Sequence, residues 1–170
     1  NKKTSDLVAG GSINLDGDQG VLNEGSIDAG KAVGVYANEN GIVNTGDVVA
    51  DNGLLQMWAA SGDITSTGTL NSVKNSLNVS AVDGNVDIAE ALAKEMAAAG
   101  SQTGDVVLGT IKGQTVVLSS QAANGKISAD KVEVSDYLVL EGNSFDKTHK
   151  QGADDKVEIV RDGSLDKYLN

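Results

Sequence analysis

The chain has no cysteine and no proline among its 170 residues, one histidine, one phenylalanine and only 3% aromatic residues in all. Without cysteine there is no disulfide, no thiolate for a structural zinc and no thiol nucleophile. The one imidazole, His149, would need a serine or threonine and an orienting carboxylate beside it to act in hydrolysis, and no spacing marks a strained nucleophile turn. It stands among Lys147, Lys150 and Gln151, which reads as a solvated loop. Cationic side chains are scarce as well. Against 24 Asp plus Glu there are 13 Lys plus Arg, a net charge of −11, so neither nucleic acid nor an anionic membrane is an expected partner. No apolar run is long enough to span a bilayer and the opening NKKTSDL has no signal-like apolar core, so no membrane insertion is expected and the chain reads as a mature or excised segment. The lack of thiols suits a bacterial product exported before it folds.

Glycine, by contrast, is abundant at 21 residues, and it punctuates a phrase that returns: GVLNEGSIDAGKAVGVYA from Gly20 and GIVNTGDVVADNGLLQMWAA from Gly41. Each copy runs turn, short strand, turn, short strand. One copy alone has nothing to bury its apolar side chains against, so copies must stack. Triplets of glycine, a polar residue and a branched apolar residue begin at Gly11, Gly25, Gly46, Gly62, Gly84, Gly104 and Gly125, with spacings of 14, 21, 16, 22, 20 and 21 residues. That scatter predicts coils whose corners take insertions and deletions while their strands keep register.

Inside the strands the apolar residues alternate with period two, as one covered face and one wet face require. Val33, Val35 and Ala37 are expected to point inward in one coil, Leu55, Met57 and Ala59 in the next, and Leu77, Val79 and Ala81 in the one after, each set displaced by 22 residues. Val116, Leu118 and Ser120, then Val132 and Val134, then Leu138 and Leu140 continue the series. Asn23 and Asn44, 21 residues apart, fall at the same place before a corner and are expected to stack on one another or to bond the turn backbone. Stacked at about 4.8 Å per coil, about seven coils make a rod roughly 30 to 35 Å long. An antiparallel sandwich with Asn and Gly in its hairpins has no reason to repeat side-chain identity every 21 or 22 residues.

Two stretches depart from the pattern. DIAEALAKEMAAAG, residues 87–100, carries Asp87 as a cap, Glu90 three residues on as in a capping box, and Gly100 to close the far end. Ile88, Leu92, Met96 and Ala99 would line one helical face and Glu90 and Lys94 would pair across one turn, predicting a short helical insertion at a corner. From Glu141 the composition becomes mixed in charge, with seven acidic and five basic side chains, and a short strand is expected at Val157 to Val160. The chain thus reads as one all-β domain, a solenoid over 1–140 with a helical insertion at 87–100, followed by a mixed-charge C-terminal cap or boundary segment over 141–170.

The phrases LVAGGSINL, GVLNEGSIDAGKAVGVYAN, GIVNTGDVVADNGLLQMWAASGDITSTGTL and LNVSAVDGNVDI resemble the coils of filamentous haemagglutinin-like exoproteins of two-partner secretion, large bacterial surface adhesins. The resemblance covers roughly residues 7 to 140. It implies a right-handed parallel β-helix with coils of about 21 residues, the hand also being the general preference of parallel crossovers. It further implies a secreted protein at the bacterial cell surface, moved out by a dedicated outer-membrane transporter and serving attachment to a host-cell surface protein or glycan, or biofilm formation. The family's Asn-Pro turn has no counterpart here, so the resemblance points to an internal portion of such an adhesin, monomeric when isolated. Autotransporter passengers share the same coil.

For chemistry the sequence offers little. Tyr36 and Trp58 occupy equivalent outward places 22 residues apart and are the candidate ligand-binding residues, a step on which sugars or proteins can stack; the same rings would equally fit beneath a corner loop. Asp28, Asp47 and Asp63 are the carboxylates available to the alternative of a β-helix enzyme acting on polysaccharide, but no arginine accompanies them in the coil region. Asp16 and Asp18, or Asp154 and Asp155, match no calcium loop. No catalytic residue, metal or cofactor is expected. A third alternative is a scaffold that polymerises end to end.

Overall fold

Three ladders of parallel strands carry the chain in the computed structural model, in which the structure describes residues 1–2, 5–142 and, by backbone path, 145–150. The first coil consists of β1 (Leu7–Ala9), β2 (Ile13–Gly17) and β3 (Val21–Asn23), and the second of β4 (Ile27–Ala29), β5 (Val33–Ala37) and β6 (Ile42–Asn44). Next come β7 (Val48–Ala50), β8 (Leu55–Ser61) and β9 (Ile64–Ser72), the last of which turns a corner, its first residues paired with β6 and its last with β7. After β10 (Leu77–Asp83), β11 (Val86–Ala93) and β12 (Met96–Ser101), the long strands β13 (Val106–Ser120) and β14 (Ile127–Gly142) merge what earlier coils keep separate.

The coil length is read directly from one ladder. Leu7 pairs with Ile27, Ile27 with Val48, Val48 with Leu70, Leu70 with Ala91, Ala91 with Ile111 and Ile111 with Val132, steps of 20, 21, 22, 21, 20 and 21 residues. The widest ladder stacks β2, β5, β8, β10, β12 and the ends of β13 and β14. The third ladder begins with β3 and β6 and continues through the starts of β9, β11, β13 and β14. Every inward residue expected from the alternation is buried, from Val33 through Leu140. The apolar core is thereby one narrow column, which the solenoid fills with Val, Ile, Leu and Ala.

The uneven triplet spacing has a different cause from the one the sequence suggests. Gly11 precedes the widest ladder, Gly25 and Gly46 precede the β4–β7 ladder, and Gly62, Gly84, Gly104 and Gly125 precede the third. The short intervals of 14 and 16 therefore mark a change of corner, not a deletion within one. The polar middle residue has a task at the third corner: Asp63 Oδ1 accepts from the Asn85 N–H (2.7 Å), Asn85 Oδ1 from Asp105 (2.8 Å) and Asp105 Oδ1 from Lys126 (2.8 Å). Each coil thus satisfies a backbone donor at the turn of the next, which an exposed corner needs in the absence of a strand partner.

The helix expected over 87–100 does not form; among the described residues the structure contains no helix. Instead β11 lies between β9 and β13, and β12 between β10 and β13. Helix propensity is a weak preference when both neighbouring edges supply backbone partners and an apolar column needs filling. Ala91 is fully buried between Leu70 and Ile111, and Ala99 is buried between Val79 and Leu118, so small residues alternate with large ones along the axis. Met96, expected to be buried, is exposed, and Glu90 Oε2 accepts from Thr69 Oγ1 (2.9 Å) in the adjacent coil rather than meeting Lys94. At the C-terminal end β15 (Phe145–Lys150) folds back antiparallel on 137–142 of β14. The strand expected at Val157 to Val160 lies outside the described residues, as do Asp154 and Asp155. No helix of the described residues is long and apolar enough to cross a membrane.

Candidate binding surface

Alternation along the widest ladder sends every second side chain outward, and register places these in columns down the rod. One column runs Asp16, Tyr36, Trp58, Ser80, Gly100 and Ser119, so the two aromatic candidates are direct partners in adjacent coils. Both are half-buried. Among the described residues no helix overlies them, because the segment expected to supply one is part of the sheet.

Tyr36 is held by its own strand. A Cβ on Gly34 would stand 2.6 Å from Tyr36 Cε2 and 2.9 Å from its hydroxyl oxygen, so the ring leans over the bare glycine. Its hydroxyl donates to Gln56 Oε1 (3.2 Å) in the next coil. The space that Gly34 leaves is thus taken by the ring, and the phenol is tethered toward the coil that carries Trp58. To one side of this step is a depression of 170 Å³ lined in part by Ser12, Asn14, Leu54 and Gln56. To the other, where the column shrinks to serine and glycine, is a larger one of 280 Å³.

The carboxylates considered for hydrolysis do not converge. Asp28 is exposed on β4, between Val8 and Val49 in register. Asp47 sits at the corner before β7 and accepts from the Thr69 N–H (2.9 Å), and Asp63 lies at the corner before β9, bonded to Asn85. Asp18 Oδ1 accepts from Asn38 Nδ2 (2.8 Å), while Asp16 is exposed at the top of the aromatic column. Among the described residues no three His, Asp or Glu side chains gather to hold a metal ion. The backbone of His149 pairs opposite Leu138 in β15. Among the described residues one carboxylate is strongly perturbed, on the β4–β7 ladder: Glu133, bonded to Lys131 (2.7 Å) and Lys112 (3.0 Å), has its pKa lowered from 4.5 to about 2 by those two ammonium groups. That pairing joins β13 to β14.

The stacking expected of Asn23 and Asn44 is present and extends into a buried polar column at the corner after β3 and β6. Asn23 Nδ2 donates to Asn44 Oδ1 (2.6 Å), and Asn44 Nδ2 donates to Ser66 Oγ (2.8 Å) and to the Gly46 carbonyl (2.7 Å). Only the first two members carried a signal, the shared Asn at a 21-residue interval; Ser66 differs in type. In register below them stand Ile88, Leu108 and Ala129, where the corner loses a residue and the column becomes apolar. Comparison with known proteins gives no match to a family model, to a curated protein or to a solved structure, so the reading of this surface stands on its own geometry.

Proposed function

We propose that this chain is a segment of a secreted bacterial surface adhesin, coiled right-handedly and exported through the outer-membrane transporter of its parent protein. Its function in this reading is display and contact, not turnover: attachment to a host-cell surface protein or glycan, or to neighbouring cells in a biofilm. The observation that carries it is the pairing of Tyr36 with Trp58 in register on the outer side of the widest ladder. In a chain with so few aromatic residues, two of them share one half-buried, outward-facing step, with a depression to either side and the sheet behind it. The repeat resemblance and the absence of cysteine favour export.

The test is a dose-response of the purified chain on host cells beside the variant Trp58→Ala, with melting temperatures compared. Saturable binding weakened about tenfold or more in a variant that melts like the parent is the expected result, the magnitude of a central aromatic contact. Equal binding by both removes the aromatic step from the contact surface. The scaffold reading has one observation in its favour, the partial burial of Leu7, Ile13, Leu15 and Val21 in the first coil, which leaves apolar surface at that end. Sedimentation at increasing concentration separates the two, since a display segment stays monomeric and a polymerising scaffold does not.

A further inference from the structure

Immediately beyond Trp58 the outward column loses its bulk: Ser80, Gly100 and Ser119 follow in register. Their small size opens the 280 Å³ trough, with Ala98 and Val117 also on its floor, Asn78 at one side and Gln102 and Gln121 at the other. None of the residues lining it is charged. Among the described residues, the side chains of Asn78, Ser80 and Gln102 form no hydrogen bond within the protein, so an amide and a hydroxyl on strand β10 and a second amide across the floor are left to bond something else. Gln121 Nε2 donates to Ser119 Oγ (3.2 Å), which orients that amide along the floor.

We propose that this trough is a subsite for a neutral oligosaccharide, with Trp58, the register partner of the lining residue Ser80 in the preceding coil, as the adjoining ring on which a sugar stacks. The inference rests on the adhesive reading and names the ligand chemistry that reading leaves open. A sugar presents hydroxyls, which pair with amides and hydroxyls as donor and acceptor at once, and apolar ring faces, which stack against an indole. A linear glycan lying along the rod axis advances one ring in about the distance of one coil, ~4.8 Å, so successive rings meet successive strands. An anionic glycan finds no cation in the lining and a net charge of −11 around it. Gly100 is the opening itself: a Cβ there would meet only Ser119, at 3.4 and 3.5 Å, ordinary contact distances, so a side chain fits on the backbone and projects into the trough.

The experiment is calorimetric titration of the full chain with cellohexaose, maltohexaose and laminarihexaose, and with hexagalacturonate as the anionic control. It is repeated with Gly100→Leu and with the double variant Asn78→Ala/Gln102→Ala. Saturable binding of at least one neutral hexaose, absent for the galacturonate and weakened about tenfold or more by Gly100→Leu, is expected. Should Gly100→Leu melt well below the parent, the double variant, which only truncates outward side chains, decides the question by the same criterion. No binding of any neutral hexaose, or binding that the variants leave unchanged, overturns the proposal. Cell attachment lost in Trp58→Ala but intact in Gly100→Leu overturns the trough while leaving the adhesive reading in place. Attachment unchanged in both variants removes the trough and the aromatic step from the contact surface, and no saturable attachment by the parent chain removes the adhesive reading itself.

Discussion

Asn44, 1% exposed, spends its whole amide on neighbours: it accepts from Asn23 and donates to Ser66 and to the Gly46 carbonyl. A buried donor or acceptor left unpaired costs its desolvation, about 1–3 kcal/mol, so truncating the middle of the column harms more than the bonds themselves are worth. Asn44→Ala strands Asn23 Nδ2, while Ser66 Oγ keeps its donation to the Gly68 carbonyl (3.1 Å), and is expected to lower stability by about 2 kcal/mol in denaturant titration. Replacing all three members with apolar residues is expected to cost less than that single change, because the coils below already run on Ile88 and Leu108 at this place. A triple variant less stable than Asn44→Ala would show that the column contributes more than mutual satisfaction. The sequence made this site half legible. Identity repeated at Asn23 and Asn44, but the role passed to a serine and then to aliphatic residues, and hydrogen-bonding function that survives a change of residue type leaves no trace in a pattern of identities.

At the scale of elements, alternation proved the stronger signal wherever it competed with another. Strands carrying Val33, Leu55 and Leu77 were legible because period two leaves no other use for those side chains. Residues 87–100 were not, because alanine satisfies both periods: Ala91, Ala97 and Ala99 fit a helix by propensity and a crowded coil by size. The corners were legible as glycine-rich turns but not as three different turns, since the same triplet serves each of them. Two substitutions separate strand from helix directly. On a helix built around Ile88, Leu92, Met96 and Ala99, residue 97 would face water and residue 96 the rod; in the sheet Ala97 is fully buried and Met96 is 38% exposed. Ala97→Lys is therefore expected to unfold or severely destabilise the protein, by about 4 kcal/mol or more, and Met96→Lys to change stability by less than about 0.5 kcal/mol. Thermal melts in which Met96→Lys is the damaging change would restore the helix.

For the whole molecule, stability in a stacked coil is a sum of intrinsic coil terms and nearest-neighbour interfaces, and the interior coils have two interfaces each. The first coil shows what one interface provides. Its inward residues Leu7, Ile13, Leu15 and Val21 are only partly covered, and its outward Val8 and Leu22 are 73% and 55% exposed. From the second coil inward, Ile27, Leu55, Ile64 and Leu77 are fully buried. The other end differs, because β15 pairs along the edge of β14 on the widest ladder and occupies backbone groups that an edge strand leaves open. Opening is therefore expected to begin at the first coil and travel inward. Hydrogen exchange at neutral pH is expected to show amides of β1 to β3 exchanging at least about a thousandfold faster than those of β8, β10 and β11, a difference of about 4 kcal/mol in opening free energy. Trp58, the only tryptophan, lies on β8 and so reports the slow region: its fluorescence should remain native while the first coil has already exchanged. Equal protection in β1 to β3 and β8 to β11 would mean that the coils open as one unit, and the sum of neighbour interfaces would then be the wrong description of this rod.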